Sequence, residues 1–470
     1  MTGGLLDTVA AVSTPKGKGG VALIRISGPE ASGICGKIFF PAGRISPVDS
    51  PRHAVFGTVR YPEGSTRAGE KADTGICVYY DGPRSFTGED TVEICCHGGV
   101  LVTRDVLGAA LAAGARQAEP GEFTRRAFAA GKISLPEAES LGLMLDAGTD
   151  AQLKLSRAGF GGTLTAECGA LREEITFLLA DLYARIDFPE EDLGSLDEGE
   201  LASGISGLLG RLCRLEASYR TGRAVASGIE TVICGRTNVG KSSFFNLLTG
   251  SDDAIVTEIA GTTRDVITAT VSFGGVTLLL SDTAGIRESD DAVEKIGIGR
   301  AVERALRAEL RFFLIESAAV PDEEETRFAE KLLASPGITV ALLTKSDAGD
   351  LSEGAAELAS RFPYCVRVSA KTGEGIDRLA ALISGLYNDG SLDLSSDPVI
   401  ATARQYDAVA RARSAIEECA AAQRDGATPD LLSVLLEDAA SALSELDGRG
   451  HGAVSADVIE RIFSVFCVGK

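Results

Sequence analysis

Between about Arg223 and Tyr387 the chain alternates short apolar runs with helix-length segments, the pattern of a parallel sheet wrapped by helices. Thr231 to Cys234, Val276 to Leu280, Arg311 to Ile315, Ile338 to Leu343 and Tyr364 to Val368 are near-continuous apolar runs of strand length. Such runs suit strands buried on both faces. Val266 to Ser272 predicts an edge strand that returns through Gly274-Gly275. On either side the period changes. Leu171, Ile175, Leu178, Leu179, Leu182 and Ile186 recur at helical spacing, as do Leu432, Leu435, Leu436, Ala439, Leu443 and Leu446. The polar stretch Asn388 to Pro398 and the short Arg220 to Gly228 segment read as two connections. The α/β unit is therefore an insertion into a helical domain built from both flanks. Residues 1 to about 130 form a third unit, with β-like runs at Val21 to Ile26 and Val92 to Cys96, and no internal repeat or low-complexity tract interrupts the chain.

Composition narrows the classes. At 470 residues the chain has room for about three domains, so small stapled or metal-nucleated folds are excluded. Its 44% hydrophobic and 24% charged content is ordinary for globular proteins, and no apolar run reaches the ~18 residues of a membrane span. Against 67 acidic residues stand 46 basic ones, a net charge of -21, so a nucleic-acid partner must be held by a local basic patch. A histone-like DNA binder is excluded. Ten cysteines without a C-x-x-C pair read as reduced and mostly structural, and the N-terminus has no Lys or Arg before Lys16 and no signal-peptide pattern, so a cytoplasmic protein is expected. Three histidines, His53, His97 and His451, leave little material for a His-ligated metal.

The chemistry concentrates in the middle unit. Gly235-Arg236-Thr237-Asn238-Val239-Gly240-Lys241-Ser242-Ser243 follows a predicted strand and opens a helix, the context that the phosphate-binding G-x-x-x-x-G-K-[ST] loop requires. Its backbone N–H groups can converge on phosphate oxygens, Lys241 can reach the β and γ phosphates, and Ser242 can ligate Mg²⁺. Asp282-Thr283-Ala284-Gly285 follows the Val276 strand, where a carboxylate can hold the Mg²⁺ shell and a glycine N–H can meet the γ phosphate. Gly261-Thr262-Thr263-Arg264-Asp265 lies between them and supplies a threonine hydroxyl for Mg²⁺. Thr344-Lys345-Ser346-Asp347 and Ser369-Ala370-Lys371 resemble the guanine-reading motifs of GTPases, with Asp347 able to accept both guanine N1–H and N2–H; GTP is the favoured nucleotide. Thr344 departs from the usual asparagine, whose amide braces the site. Ile286 stands where Ras-like GTPases place the glutamine that orients the attacking water, so another residue must act. Glu294 is a carboxylate near enough along the chain, but on the residues alone it is only one of many acids on a solvated helix face.

Over essentially its whole length the chain resembles the tRNA-modification GTPases of the MnmE (TrmE) family. The resemblance rests on Asp7-Thr8-Val9-Ala10-Ala11, Arg25-Ile26-Ser27-Gly28, Ser85-Phe86-Thr87-Gly88-Glu89-Asp90, His97-Gly98-Gly99 and Pro120-Gly121-Glu122-Phe123-Thr124. It extends to Ile186-Asp187-Phe188-Pro189-Glu190-Glu191, the nucleotide motifs and the terminal Cys467-Val468-Gly469-Lys470. It implies a multidomain α/β and α fold: an N-terminal α+β folate-binding and dimerisation domain over 1–130, a discontinuous helical domain over 131–224 and 388–470, and an inserted Ras-like P-loop G domain over 225–387. It also implies a homodimer working on tRNA with an FAD-containing partner, MnmG or GidA, in a heterotetramer. Together these add an aminomethyl or carboxymethylaminomethyl group at C5 of the wobble uridine, U34, of certain tRNAs. The one-carbon unit comes from a 5-formyl- or methylene-tetrahydrofolate.

By motif match, Asn238 and the Thr257-Glu258-Ile259-Ala260-Gly261-Thr262 loop hold K⁺, through Thr257, Ile259 and Thr262, while Ser242 and Thr263 ligate Mg²⁺. The K⁺ does the work of an arginine finger between the β and γ phosphates, and Glu294 orients the water. Arg25, Glu93, Lys132 and Lys470 match the folate-binding positions, and Lys470 as the last residue predicts that the C-terminus packs on the first domain. Cys467 is either a functional thiol near the modification site or a buried cysteine after Phe466. Arg125, Arg126 and Lys132 form a basic cluster, with Lys132 already assigned to folate. Two competing readings are a ribosome- or RNA-associated K⁺-dependent GTPase switch, and a folate-binding scaffold with a degenerate GTPase. Only Thr344 and Glu316, where related GTPases have an aspartate, favour the latter.

Overall fold

The computed structural model describes residues 7–188, 196–250, 254–257, 268–282, 302–387, 392–448 and 455–469, with backbone alone at 254–257, 268 and 282. The chain divides into two compact units, Met1–Gly142 with Asp447–Lys470, and Leu143–Leu446.

In the first unit β1 (Val9–Val12), β2 (Val21–Ser27), α1 (Ala31–Ile38), β3 (Phe39–Pro41), β4 (Val55–Arg60), β5 (Lys71–Tyr80), β6 (Thr91–His97), α2 (Val100–Ala112), β7 (Arg116–Gln117) and α3 (Glu122–Ala129) follow in order. The strands make one sheet, β3-β4-β5-β6-β2-β1-β7, antiparallel except where β1 meets β7. Strand alternation sorts its side chains. Ile24, Ile26, Val59, Cys77, Tyr79, Val92 and Ile94 point inward to α1 and α2, whereas Arg25, Glu93 and the exposed Phe56 and Ile76 share the opposite face.

The tail closes on this unit. Phe463 and Phe466, at the end of the helix Ala456–Ser464 and just after it, pack with Leu135 and Ala138. Pro120 bridges to Val468, and the Ser13 hydroxyl donates to the Gly469 carbonyl at 2.9 Å. Asp447, Gly448 and residues 455–469 thus group with the N-terminal sheet, where Phe463 and Phe466 find apolar partners.

The second unit begins within α4 (Leu135–Asp146) and continues through α5 (Asp150–Phe160), α6 (Thr163–Asp187) and α7 (Glu198–Ala226). The last two pack with helices Ala403–Arg424 and Pro429–Asp447 around Leu171, Ile175, Leu178, Leu182, Leu432, Leu436, Ala439 and Leu443, the periodic positions of the sequence. The expected Arg220 to Gly228 connection is helical as far as Ala226. Close packing explains this, since a Cβ at Gly222 would lie 2.1 Å from the Ile400 carbonyl. The chain turns only at Gly228, whose φ of 74° is the left-handed helix stop.

From there runs the inserted sheet: β8 (Ile229–Gly235), α8 (Lys241–Thr249), β9 (Ala254–Thr257), β10 (Thr268–Phe273), β11 (Val276–Asp282), β12 (Leu310–Glu316), β13 (Ile338–Thr344) and β14 (Tyr364–Arg367). Its order is β14-β13-β12-β8-β11-β10-β9, parallel from β14 to β11. β10 pairs with β11 through the Gly274-Gly275 turn as expected, but it is not the edge, because β9 lies outside it. Alternate residues of β8, β12 and β13 feed two cores, one under α8 and the helix Ile376–Tyr387, the other under Glu323–Leu333 and Glu353–Ser360. That double burial is why these strands read as unbroken apolar runs.

One charged side chain overturns a surface reading. Arg126 is 2% exposed and cannot serve a basic patch with Arg125 and Lys132. Its guanidinium donates to Asp7 Oδ1 at 2.7 Å, Glu122 Oε1 at 2.9 Å and Glu89 Oε1 at 3.1 Å, tying the first strand to α3 and the β5–β6 loop. Arg116 adds a second cation to Asp7 and Glu122, and both carboxyls titrate below their ordinary range. Carboxylates depressed in this way contribute stability above the usual carboxylate pKa and lose it as pH falls through the folded value. We expect Arg126→Met to cost about 1–3 kcal/mol, because it removes one of the two cations that compensate buried Glu122, and to weaken this acid dependence while Arg116 keeps part of it. Amide hydrogen exchange of β1 and α3 across pH measures both.

Candidate functional site

β8 delivers Gly235 beside Leu314 of β12, where a Cβ would come within 2.5 Å of the Leu314 carbonyl and φ is 144°. Only glycine fits there. The loop then passes through two left-handed residues, Asn238 (φ 60°) and Gly240 (φ 103°), and opens α8. Helix starts leave amides without internal partners, so the loop presents donors to an anion. The Lys241 ammonium crosses the loop, donating to the carbonyls of Gly235 (2.9 Å) and Arg236 (2.7 Å). Val239 is buried, and Ser242 and Ser243 are exposed in the first turn of α8. β11 ends at Asp282 in register with Ile233, which brings that backbone beside the strand that feeds the loop. The side chains of Thr257 and Asp282 lie outside the described residues, as do Glu258, Ile259, Ala260, Gly261, Thr262, Thr263, Thr283, Ala284, Gly285 and Glu294.

The two loops that match guanine-reading motifs are fully described. Thr344 closes β13, is 5% exposed, and donates its hydroxyl to the Val239 carbonyl at 2.8 Å. Lys345 takes φ 56° and pairs with Glu316 at 2.9 Å. Asp347 is exposed, and its Oδ1 accepts the hydroxyl of fully buried Ser369 at 2.6 Å. That bond holds the Asp347 carboxyl below the usual carboxylate range. Ser369 also accepts from the Lys371 and Thr372 amides, and Ser346 donates to Glu374, so the two loops are stitched together. Ala370 lies between Ser369 and Lys371, both of which this turn fixes.

A second polar site sits on the outward face of the first sheet. Arg25 and Glu93 are directly opposite on β2 and β6, paired at 2.7 Å and about four-fifths buried. The rings of Phe86 and Phe123 lie 5.7 and 5.5 Å from the Arg25 guanidinium. Burial and then the Glu93 charge raise the Tyr80 phenol. Lys132 reaches the loop that bears Phe86, donating to the Pro83 carbonyl at 2.9 Å. Ala11 pairs with Arg25, and Ser13 holds Gly469, so the chain end reaches the strand next to Arg25; Lys470 itself is outside the described residues. Cys467 is exposed, which removes the reading of a buried cysteine, and its carbonyl accepts from Gly121 just before α3.

The sequence reading missed Tyr80, Phe86 and Phe123 around Arg25, and Glu374 behind the base loops. Phe86 and Phe123 lay inside quoted motifs, which was their only signal. Among the described residues no group of three or more His, Cys, Asp or Glu could hold a metal, and no helix is long and apolar enough to cross a membrane.

A family model described as GTP-binding protein TrmE N-terminus matches residues 8–132, and one described as MnmE helical domain matches residues 135–467. The chain is 40% identical over 466 residues to the tRNA modification GTPase MnmE of Symbiobacterium thermophilum, covering 99% of each. To that of Heliobacterium modesticaldum it is 37% identical over 473 residues, again 99% of each. Among solved structures, Aquifex aeolicus Era matches 40% of this chain and 66% of its own at 21% identity and TM-score 0.28. The G domain of T. maritima FeoB matches 33% and 98% at 25% identity and TM-score 0.26. Overlaps this low support no inference about the chain.

The Ser369–Asp347 bond makes a pH prediction. If Asp347 reads guanine as the motif match implies, it must be ionised, and its lowered carboxyl should keep GTP binding to a more acidic pH than an ordinary carboxylate would. Ser369→Ala removes the bond, and the acid limb of GTP binding should move to higher pH; titrating binding from pH 7 downward measures the displacement.

Proposed function

The chain belongs to the tRNA modification GTPase MnmE family and is a GTP hydrolase; on that premise we propose that it is a K⁺-activated GTPase that, with an FAD-dependent partner, modifies C5 of the wobble uridine of certain tRNAs using a tetrahydrofolate one-carbon unit. The observation that carries the reading is that one chain holds both a phosphate loop bridged by Lys241 and the Arg25–Glu93 pair on a separate sheet. A GTPase switch without folate chemistry leaves the second site unexplained. The scaffold reading loses its two supports, because Thr344 is bonded to the phosphate loop and Glu316 to Lys345.

The exposed Ser242 hydroxyl opens α8, and the motif match adds the Thr263 hydroxyl and the Asp282 carboxylate, oxygen donors of the kind that would hold Mg²⁺. The Asn238 side chain, exposed and turned by its left-handed backbone, offers the oxygen suited to K⁺. A monovalent ion bound there offsets charge on the leaving phosphate. Lys241 exchanges its loop carbonyls for phosphate oxygens, Asp347 accepts the two guanine N–H groups, and Glu294 orients the attacking water. In the first unit Glu93 accepts from the amine and amide of a pterin, and Arg25 and Lys132 meet its carboxylate tail. The exposed Phe40, Phe56 and Ile76 on that sheet support a homodimer built through the N-terminal domain.

Two measurements test the reading. Hydrolysis of GTP in matched KCl and NaCl should be stimulated by K⁺, and Glu294→Ala should lose about 10²–10⁴-fold, the range for a positioned base. Slow turnover indifferent to the cation would sink the proposal. Tetrahydrofolate binding by calorimetry should weaken about 10- to 100-fold in Glu93→Ala, as for loss of a charge-assisted hydrogen bond, while GTP hydrolysis by the same variant stays at the wild-type rate.

A further inference from the structure

We propose that the β5–β6 loop carries the RNA-docking surface of the first unit: Arg52, Arg84 and Lys132 gather around it to hold backbone phosphates of a single-stranded RNA loop, and the Phe86 ring receives a base. The inference rests on the tRNA-modifying reading above and says where on the chain the RNA meets it. A net charge of -21 repels a polyanion at long range, so contact needs a local excess of cations. This loop has one. Asp81 holds Arg52 through one carboxylate oxygen at 2.5 Å and Arg84 through the other at 3.1 Å, and the Lys132 ammonium donates to the Pro83 carbonyl at 2.9 Å. The loop's other carboxylates are engaged from within, Glu89 by Arg126 and Asp90 by the Tyr79 hydroxyl and the Gly82 amide. Three cations thus stand around a single outward acid.

Their exposure and spacing suit phosphates. The Arg84 side chain is 70% exposed and that of Arg52 37%. Each guanidinium commits one terminal nitrogen to Asp81 and keeps donors for a phosphate. The loop itself is tied down: the Ser85 hydroxyl donates to the Glu89 carbonyl at 2.5 Å, and a Cβ on Gly88, which sits at φ 80°, would lie 2.9 Å from the Ala130 Cβ and 3.5 Å from the Lys132 Cγ. Cations held in place in this way need little further ordering to bind.

Phe86 joins this surface to the polar site behind it. Its ring is 36% exposed and lies 5.7 Å from the Arg25 guanidinium. Any base can stack on an aromatic face, and RNA loops offer unpaired bases that can be splayed out for it. A base stacked on Phe86 arrives beside the Arg25–Glu93 pair, whereas a duplex keeps its bases inside and offers the cations phosphates alone.

The test titrates the full-length protein with an anticodon stem-loop RNA bearing an unmodified wobble uridine and, separately, with a fully paired RNA of equal length, by fluorescence anisotropy across a salt series. At about 0.1 M salt Arg84→Ala should bind the stem-loop about fivefold more weakly, and the double variant Arg52→Ala with Arg84→Ala about 25-fold, each arginine lowering the slope of log affinity against log salt by about 0.7. Phe86→Ala should lose about tenfold with the slope unchanged. Tetrahydrofolate binding and GTP hydrolysis by the double variant should match wild type; Arg84→Ala alters exposed surface alone and decides the point should the double variant fail to fold. Arg327→Ala, an exposed arginine of the helix Glu323–Leu333, should bind the RNA as wild type does. Wild-type RNA affinity in the arginine variants, an equal loss in Arg327→Ala, or a duplex bound as tightly as the stem-loop would overturn this surface and leave the proposed function standing. A wild-type protein that hydrolyses GTP and binds tetrahydrofolate yet binds no stem-loop would overturn the tRNA reading together with it.

Discussion

The parallel pairing of β8 with β11 on one side and β12 on the other is the constraint on which the nucleotide site depends. Parallel strands bring their carboxyl ends to one edge of the sheet, and loops at that edge face a common crevice. Gly235, Asp282, Glu316 and Thr344 are the last residues of β8, β11, β12 and β13. Segments more than a hundred residues apart in sequence thereby become neighbours without any dedicated contact to assemble them. The cores on both faces of the sheet keep those strand ends in register, so the chemistry inherits its precision from Val, Leu, Ile and Phe packing.

The first unit solves a related problem with charge instead. Its first strand is only four residues long, too short to be secured by ladder bonds alone. Arg126, Arg116, Asp7, Glu89 and Glu122 stitch it to α3 and to the loop that carries Phe86, while Ser13 and Pro120 grip the chain terminus. The same loop and the same α3 supply the two rings that flank Arg25. A buried ion network is a weak source of net stability, yet breaking one partner is costly. That asymmetry makes it suited to fixing one arrangement of strand, loop and helix rather than to adding stability.

Much of this was legible in the residues. The apolar runs of β8, β11, β12, β13 and β14 and the 3.6-residue period of α6 and Pro429–Asp447 are direct projections of burial, and the phosphate and guanine motifs are local in sequence. What escaped reading depends on distant partners. Arg126 looks like surface charge beside Arg125 until Asp7, 119 residues away, is seen to accept from it. The helical stretch up to Ala226 was hidden by Gly222, whose missing side chain reads as a breaker but serves to let the helix approach Ile400. Short strands such as β3 and β7 carry too few residues to show a period, and β9 made the expected edge strand an inner one.

The two departures that argued for a decayed nucleotide site instead show how such a site tolerates substitution. A motif position is defined by the bond it must make, and chain identity matters only as far as it places the donor. At residue 344 the required acceptor is a backbone carbonyl, which any short side chain with a correctly placed hydrogen can satisfy. At residue 316 the required partner is an ammonium on a flexible stem, so the extra methylene of glutamate over aspartate is absorbed by Lys345. Asp347 is different in kind. In the proposed reading it accepts two parallel N–H groups from a rigid base, a geometry that neither a hydroxyl nor a longer carboxylate on a looser stem reproduces, and it is the member of the loop that keeps the usual residue.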